Sequence, residues 1–348
     1  MKNDLITTSN NFSTALLLES LHQKGNEITF EDVYRGIWLP KKQATISSWF
    51  VEARRIENVL LPAIGSVPVK DITPKMIFPY LQKYENKLPT LQRLVMRVNE
   101  IMNFAVCADL VDRNRCASMK IIYPHQKSEH LATIPANDLP HFFYVLNTND
   151  GKPQMPQWFK LFVLFHLYSM GRCNEVASLK WKYIKGDTIT IPASEMKGRR
   201  EHRIWLCPDM IELLKKVHLM TKDRKNEYVF NFMRSKEGHV HRQFFAKWLW
   251  QSSLKGKLTP HGLRSTARTW LRDQGCPNEV GEDFLAHVHG SPTERSYIRG
   301  DYLEQRKEWY VKWFEFLRYC WVLSAKYDNA YITKEHRSDL DILINANG

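Results

Sequence analysis

Apolar residues recur at three- and four-residue spacing from "ITFEDVYRGIWLPKK" to "DLVDRNRCASMK", most clearly at Leu91, Leu94, Val95, Val98, Ile101, Met102, Phe104 and Ala105. That is the stripe of amphipathic helices, and it predicts a small helical bundle over residues 28–122. Residues 1–27 are polar and mildly charged; "NFSTALLLESLH" suits a short helix with Ser13 near its cap, and no role is assigned to it. The stretch "IIYPHQKSEHLATIPANDLP" has prolines, polar residues and no period, which marks a linker over 123–140. Beyond it the pattern is mixed. "QWFKLFVLFHLYSM" is apolar on every side, as a buried helix is, "DTITI" and "HRIWLC" read as short strands around the turn-forming "KGRRE", and a series of helices runs from 261 into the 320s. Thr259 before Pro260, Ser291 before Pro292 with Glu294, and Asp301 with Glu304 mark helix starts. The expectation is a mainly α chain with a small β-sheet: a helical domain, an α+β domain over 141–317 and a C-terminal tail over 318–348.

A chain of 348 residues with 43% hydrophobic positions can bury two cores. Its net charge of +13 favours a polyanionic partner. Six cysteines without a C-x-x-C pair indicate neither a disulfide framework nor a zinc knuckle, and fit reduced thiols in a cytosol. The N-terminus lacks a signal-peptide pattern, and the longest apolar run is too short for a membrane and contains Lys160 and His166. A soluble cytoplasmic protein with no membrane partner is expected.

The candidate chemistry lies in the second half. "GRCNEVASLKW" spaces Arg172 and Glu175 so that, on a helix, the carboxylate orients the guanidinium. "TPHGLRSTARTW" puts His261 and Arg264 on one face at the start of a capped helix, where backbone N–H groups and the dipole also favour an anion. "LAHVHG" adds His287, "EMKGRREH" puts Lys197 in a tight turn between strands, and "SPTERSYIRGDY" places Tyr297 between Arg295 and Arg299 with no apolar repeat to claim its ring. Taken singly these are surface pairs, helix-end histidines and a hairpin lysine. Together they are the parts that break a phosphodiester without metal: arginines to neutralise phosphoryl oxygens, a phenol to attack, and cations and histidines to activate it.

In this set the chain resembles the tyrosine recombinases, or phage integrases. The G-R-x-x-E motif is matched by Gly171, Arg172 and Glu175, the H-x-x-R box by His261 and Arg264, the L-x-H box by Leu285 and His287, the hairpin lysine by Lys197 and the nucleophile by Tyr297. "SYIRGDYLEQRKEWYVKW" and "ENVLLPAIGSVPVKDIT" resemble the satellite-phage and genomic-island branch, and the resemblance runs over about residues 28–317. Integrases of that branch usually carry an N-terminal arm-binding domain. Here residues 1–27 precede the bundle, which points to a recombinase acting at short core sites.

The resemblance implies a C-shaped DNA clamp made of a core-binding and a catalytic domain, with Arg54, Arg55, Arg93, Arg97, Arg199 and Arg200 as phosphate contacts. Tyr297 would form a 3′-phosphotyrosine and Lys197 would protonate the leaving 5′-oxygen, with no cofactor, no metal and no nucleotide. Double-stranded DNA with inverted-repeat core sites would be the partner, bound by a homodimer on one site and a homotetramer in synapse. An accessory DNA-bending or directionality factor is compatible with this, as is a place at the bacterial nucleoid. The tail from Arg318 would dock on a neighbouring protomer. A type IB topoisomerase and a non-catalytic DNA-binding regulator share much of the signature, and a zinc phosphodiesterase would need His261, His287 and His289 as ligands.

Overall fold

The structure, a computed structural model, describes residues 28–46, 48–123, 131–153, 155–231, 235, 237–287 and 302–324. Those up to 123 belong to one compact unit and those from 131 to another.

The first unit opens on a reciprocal cap, in which Asp32 N–H donates to the Thr29 hydroxyl and Thr29 N–H donates to the Asp32 carboxylate. Helix α1 (Phe30–Val33) runs through a π-helical stretch (Tyr34–Trp38) into α2 (Leu39–Thr45), and α3 (Trp49–Arg55) through a second (Ile56–Leu60) into α4 (Leu61–Ile64). Each π stretch lies just before a proline, Pro40 or Pro62. A proline has no N–H for the carbonyl four residues back and its ring crowds that carbonyl, so a widened turn accommodates it. Helices α5 (Pro74–Gln82), α6 (Leu88–Cys107) and α7 (Met119–Ile122) complete the bundle. On α6 the expected stripe is buried from Leu91 to Ala105, with Phe104 at its half-buried edge, and it packs on Phe30, Tyr34, Trp38, Ile56 and Leu60.

The second unit contains α8 (Leu139–Thr148), α9 (Gln157–Ser169), α10 (Cys173–Ala177), β1 (Ile184–Lys185), β2 (Thr188–Ile191), β3 (His202–Trp205), α11 (Pro208–Thr221), α12 (Gln243–Gln251), α13 (Pro260–Asp273), α14 (Asn278–Phe284) and α15 (Leu303–Ser324). Helix α9 buries residues all round, from Phe159 to Ser169, as its apolar run requires. The sheet is antiparallel in the order β1-β2-β3. Two of the strands are those the alternation predicts. The third, β1, has only two residues, too few to show a period, and reaches β2 through Gly186 at φ +58°, a left-handed backbone that glycine adopts without strain.

Two segments differ from the sequence reading. Part of the supposed linker is built into the second unit: the Ala132 carbonyl accepts from Thr259 N–H and the Thr133 hydroxyl donates to Gly262 O, while Ile134 is buried. A Cβ at position 262 would stand 2.2 Å from Ala132 O, so only glycine allows this crossing. The pairing is through backbone, which leaves no apolar period to read. The start of the supposed tail is corrected as well, while residues 325–348 lie outside the described residues. Residues 318–324 continue α15, burying Cys320 and Leu323 in the unit's own core and setting Trp321 5.3 Å from Phe143 of α8.

Candidate active site

The turn between α9 and α10 is tight. Met170 closes α9 at φ +53°, and a Cβ on Gly171 would stand 2.8 Å from Val176 Cγ2. The chain therefore turns sharply and delivers Arg172 to the N-cap of α10. Arg172 and Glu175 do not share a helix face as their spacing suggested: the arginine lies one step outside the helix and the glutamate reaches back to it. Glu175 accepts from the Arg172 backbone N–H at 3.2 Å and from its guanidinium at 2.8 Å, with its own side chain 8% exposed. A carboxylate so held fixes the direction of the guanidinium.

At the start of α13, the Thr259 hydroxyl accepts from Gly262 N–H at 2.9 Å, which uses one of the N–H groups the sequence left open for an anion. His261 is exposed and Arg264 is buried. The Arg264 guanidinium donates to the carbonyls of Met170 and Leu285, joining the α9–α10 turn to the end of α14, and lies 3.4 Å from His287 Nε2. Burial first, then the charge of Arg172, pushes its pKa down to about 10. The fold thus holds this cation against its own electrostatic preference.

His287 follows α14. Its Nδ1 is 2.8 Å from a Glu282 oxygen, leaving Nε2 toward Arg264, and the other Glu282 oxygen accepts from Arg268 Nε at 2.9 Å. Burial raises the Glu282 pKa, but hydrogen bonds from His287 and Arg268 outweigh it and the net shift is downward, toward a permanent carboxylate. Glu282 is a site residue the sequence reading missed. Its separation of five from His287 matches no helical pairing rule.

Lys197 does sit in a tight turn, closed by the Arg199 N–H donating to Met196 O at 3.0 Å, but the strands do not run up to it. Strand pairing ends at Ile191 opposite His202, so the connection spans residues 192–201, with the exposed Lys197 near its middle. That loop passes beside the end of α14: a Cβ on Gly198 would meet Ala286 O at 3.9 Å. His261 registers the assembled set. Its pKa is lowered by burial first and then by the charges of Arg264, Arg172, His287 and Lys197, in that order. Three cations, Arg172, Lys197 and Arg264, thus share one neighbourhood with the imidazoles of His261 and His287.

Tyr297 lies outside the described residues, as do Ser291, Pro292, Glu294, Arg295, Arg299 and Asp301. Of the tyrosines beyond it, Tyr310 is fully buried among α15 packing residues, its hydroxyl meets no hydrogen-bond partner, and burial raises its pKa strongly. A phenol so placed cannot reach or attack a DNA phosphate.

Of the arginines read as phosphate contacts, Arg54, Arg93 and Arg199 are exposed. Arg55 pairs with Glu52 at 2.7 Å and Arg97 with Glu100 at 2.5 Å. Arg200, its side chain 37% exposed, lies 3.2 Å from Asp283, a carboxylate only 3% exposed that also pairs with the wholly buried Arg306 at 3.1 Å. His202 of β3 is buried nearby and held neutral, by burial first and then by the charges of Arg306, Arg264, Arg200 and Arg172. Asp283, Arg306 and His202 carried no sequence signal, because their partners are remote in the chain.

Among the described residues no three His, Cys, Asp or Glu side chains converge as metal ligands would, and no helix is long and apolar enough to cross a membrane.

Residues 133–304 match the phage integrase family and residues 30–121 the phage integrase central domain. The prophage integrase IntA of Escherichia coli (strain K12) is 26% identical over 301 residues, spanning 85% of this chain and 71% of the relative. The integrase of Enterobacteria phage P4 is 22% identical over 317 residues, spanning 86% and 71%. In fold, the chain is similar to a lambda integrase tetramer bound to a Holliday junction, with a TM-score of 0.58 at 17% identity over 78% of each chain. A lambda integrase dimer bound to a COC′ core site gives 0.56 at 17% identity over 76% of each. Matches that run through both units, one to the central domain and one to the family itself, place this chain in the phage integrase family, the site-specific tyrosine recombinases.

Proposed function

We propose that Tyr297 is the nucleophile of this recombinase and that the cluster around Arg264 is where the scissile phosphate sits. The observation that carries this is the placing of the Arg264 guanidinium, anchored to Met170 O and Leu285 O, 3.4 Å from His287 Nε2, with Arg172 held by Glu175 just beyond Met170. Five-coordinate phosphorus gathers negative charge on its non-bridging oxygens. Two guanidiniums held by Glu175 and by backbone carbonyls need no reorganisation to meet it. The Tyr297 oxygen forms the new bond to phosphorus and the bond to the 5′-oxygen breaks. The phenolic proton goes to His261, whose lowered pKa leaves it neutral and able to accept. Lys197 gives a proton to the departing 5′-oxygen, and His287 Nε2 faces a phosphate oxygen. A 5′-hydroxyl from another strand reverses the step, so the phosphotyrosine carries the bond energy across and no nucleotide is consumed.

The partner on this reading is double-stranded DNA with inverted-repeat core sites, bound by two copies of the chain and by four in synapse. Lambda integrase, similar in fold, forms a dimer on a core site and a tetramer on a Holliday junction. Arg54, Arg93 and Arg199, exposed in the structure, are left to meet phosphates.

The test is Tyr297→Phe in the presence of excess EDTA. The parent is expected to give a covalent adduct on site DNA without metal. The variant is expected to bind the same DNA and give none, since only the attacking oxygen is gone. An adduct from the variant would move the nucleophile elsewhere, and loss of parental cleavage on chelation, restored by Zn²⁺ or Mg²⁺, would overturn the metal-free chemistry.

A further inference from the structure

We infer that Arg200 is a positioning residue for Lys197, acting through Asp283, and not a contact to DNA. The inference rests on the reading of Lys197 as the proton donor. Lys197 lies in a tight turn over 196–199 inside a ten-residue connection, residues 192–201, and a loop of that length does not by itself hold the turn and its flexible lysine in register. The structure pins it on both sides. Before the lysine, Met196 is buried in the core, and Glu195 pairs with Lys180 at 3.2 Å and accepts from the Tyr183 hydroxyl. After it, Arg200 docks on Asp283 Oδ1 at 3.2 Å.

The dock is a built one. Asp283 is almost wholly buried, and its Oδ2 is engaged by Arg306 Nε at 3.1 Å and by Tyr302 N–H at 3.4 Å, which leaves Oδ1 for Arg200. A carboxylate out of water attracts a guanidinium more strongly than a surface carboxylate does. Asp283 also sits on α14 four residues before His287, and Gly198 lies against Ala286 between them. The ion pair therefore ties the loop to the element that presents His287, and sets Lys197 in the same frame as the phosphate-binding groups. Proton transfer needs donor and acceptor within hydrogen-bond reach, and a misplacement of about 1 Å costs on the order of a hundredfold.

Two substrates read this out. On ordinary site DNA the leaving 5′-alkoxide needs a proton; with sulfur as the bridging atom it is a good leaving group and needs none. Arg200→Ala is expected to cleave the ordinary substrate about 10- to 100-fold more slowly than the parent. The sulfur-bridged substrate should be cleaved within about threefold of the parental rate, with unchanged DNA affinity, and Arg200→Lys should recover part of the loss. The Lys197→Ala/Arg200→Ala double variant should be no slower than Lys197→Ala alone, because a positioning residue has nothing left to position. Equal slowing of Arg200→Ala on both substrates together with weaker DNA binding would make Arg200 a phosphate contact and end the proposal. No slowing on either would end it too. If Lys197→Ala is itself equally slow on both, the proton-donor reading fails and the proposal falls with it; if Lys197→Ala is selective for the ordinary substrate and Arg200→Ala is not, the proposal alone falls.

Discussion

Replacing Arg264 by methionine separates what the guanidinium does for the fold from what it does for the phosphate. Methionine has a similar reach and adapts to irregular space. Arg264 is 3% exposed, and burial, followed by the charge of Arg172, pushes its pKa down to about 10. At about 1.4 kcal/mol per tenfold change in proton affinity, keeping the charge there costs the fold about 3 kcal/mol. Against this stand its hydrogen bonds to Met170 O and Leu285 O. Losing them leaves two buried acceptors unmet, at about 1–3 kcal/mol each. The opposing terms largely offset one another, so Arg264→Met is expected to unfold within about 3 kcal/mol of the parent. Catalysis has no such compensation: withdrawing a preorganised positive group from the transition state costs about 10²–10³ in rate. Urea unfolding gives the first quantity, and the rate of covalent adduct formation on a nicked suicide substrate gives the second. A loss of more than about 4 kcal/mol would make Arg264 a strut of the fold, contrary to the balance worked above. Cleavage at the parental rate would remove it from the phosphate altogether.

Three further outcomes follow from the packing. Glu282→Gln is expected to slow cleavage about 10- to 100-fold, as loss of a partner behind an active imidazole does elsewhere, with Glu282→Asp intermediate; parental rates in both would show that His287 needs no orienting carboxylate. His166 and His202 are buried and held neutral, His166 with its pKa pushed down to about 3. The unfolded chain binds protons on both below about pH 6.5 while the folded chain does not, so stability is intact above that pH and falls as the pH drops through it. By pH 5.5 the loss is about 1.4 kcal/mol for each histidine, and urea unfolding that is flat between pH 7.5 and 5.5 would contradict it. Ending the chain after Leu317 removes Cys320 and Leu323 from the core and is expected to cost at least about 3 kcal/mol, whereas ending it after Ser324 leaves that core intact; equal melting temperatures for the two truncations would show that residues 318–324 do not pack on their own unit.

What the sequence determined by itself was whatever is written locally. The stripe on α6 declares a helix because side chains three and four apart share a face, and Thr259 before Pro260 declares a helix start because both act within one turn. The two longer strands show through alternation, and the roles proposed for Arg172, Lys197, His261, Arg264, His287 and Tyr297 rest on motifs a few residues long. Local spacing also misled. It put Arg172 on a helix face when the strict turn at Gly171 makes it a cap, set the two strands directly against the Lys197 turn when pairing stops at Ile191, and began a tail at Arg318 when α15 carries residues 318–324 into the core. Tertiary structure alone decided what each charge is for. Arg200 and Arg97 look like Arg54 and Arg93 in a sequence, and only the fold turns the first toward Asp283 and the second toward Glu100 while leaving the others exposed. The reason is physical: a charge is worth little or much according to the dielectric around it and the partner within reach. Asp283 meets Arg306 and Arg200, and Arg264 meets Met170 O, across stretches of chain that no periodicity spans.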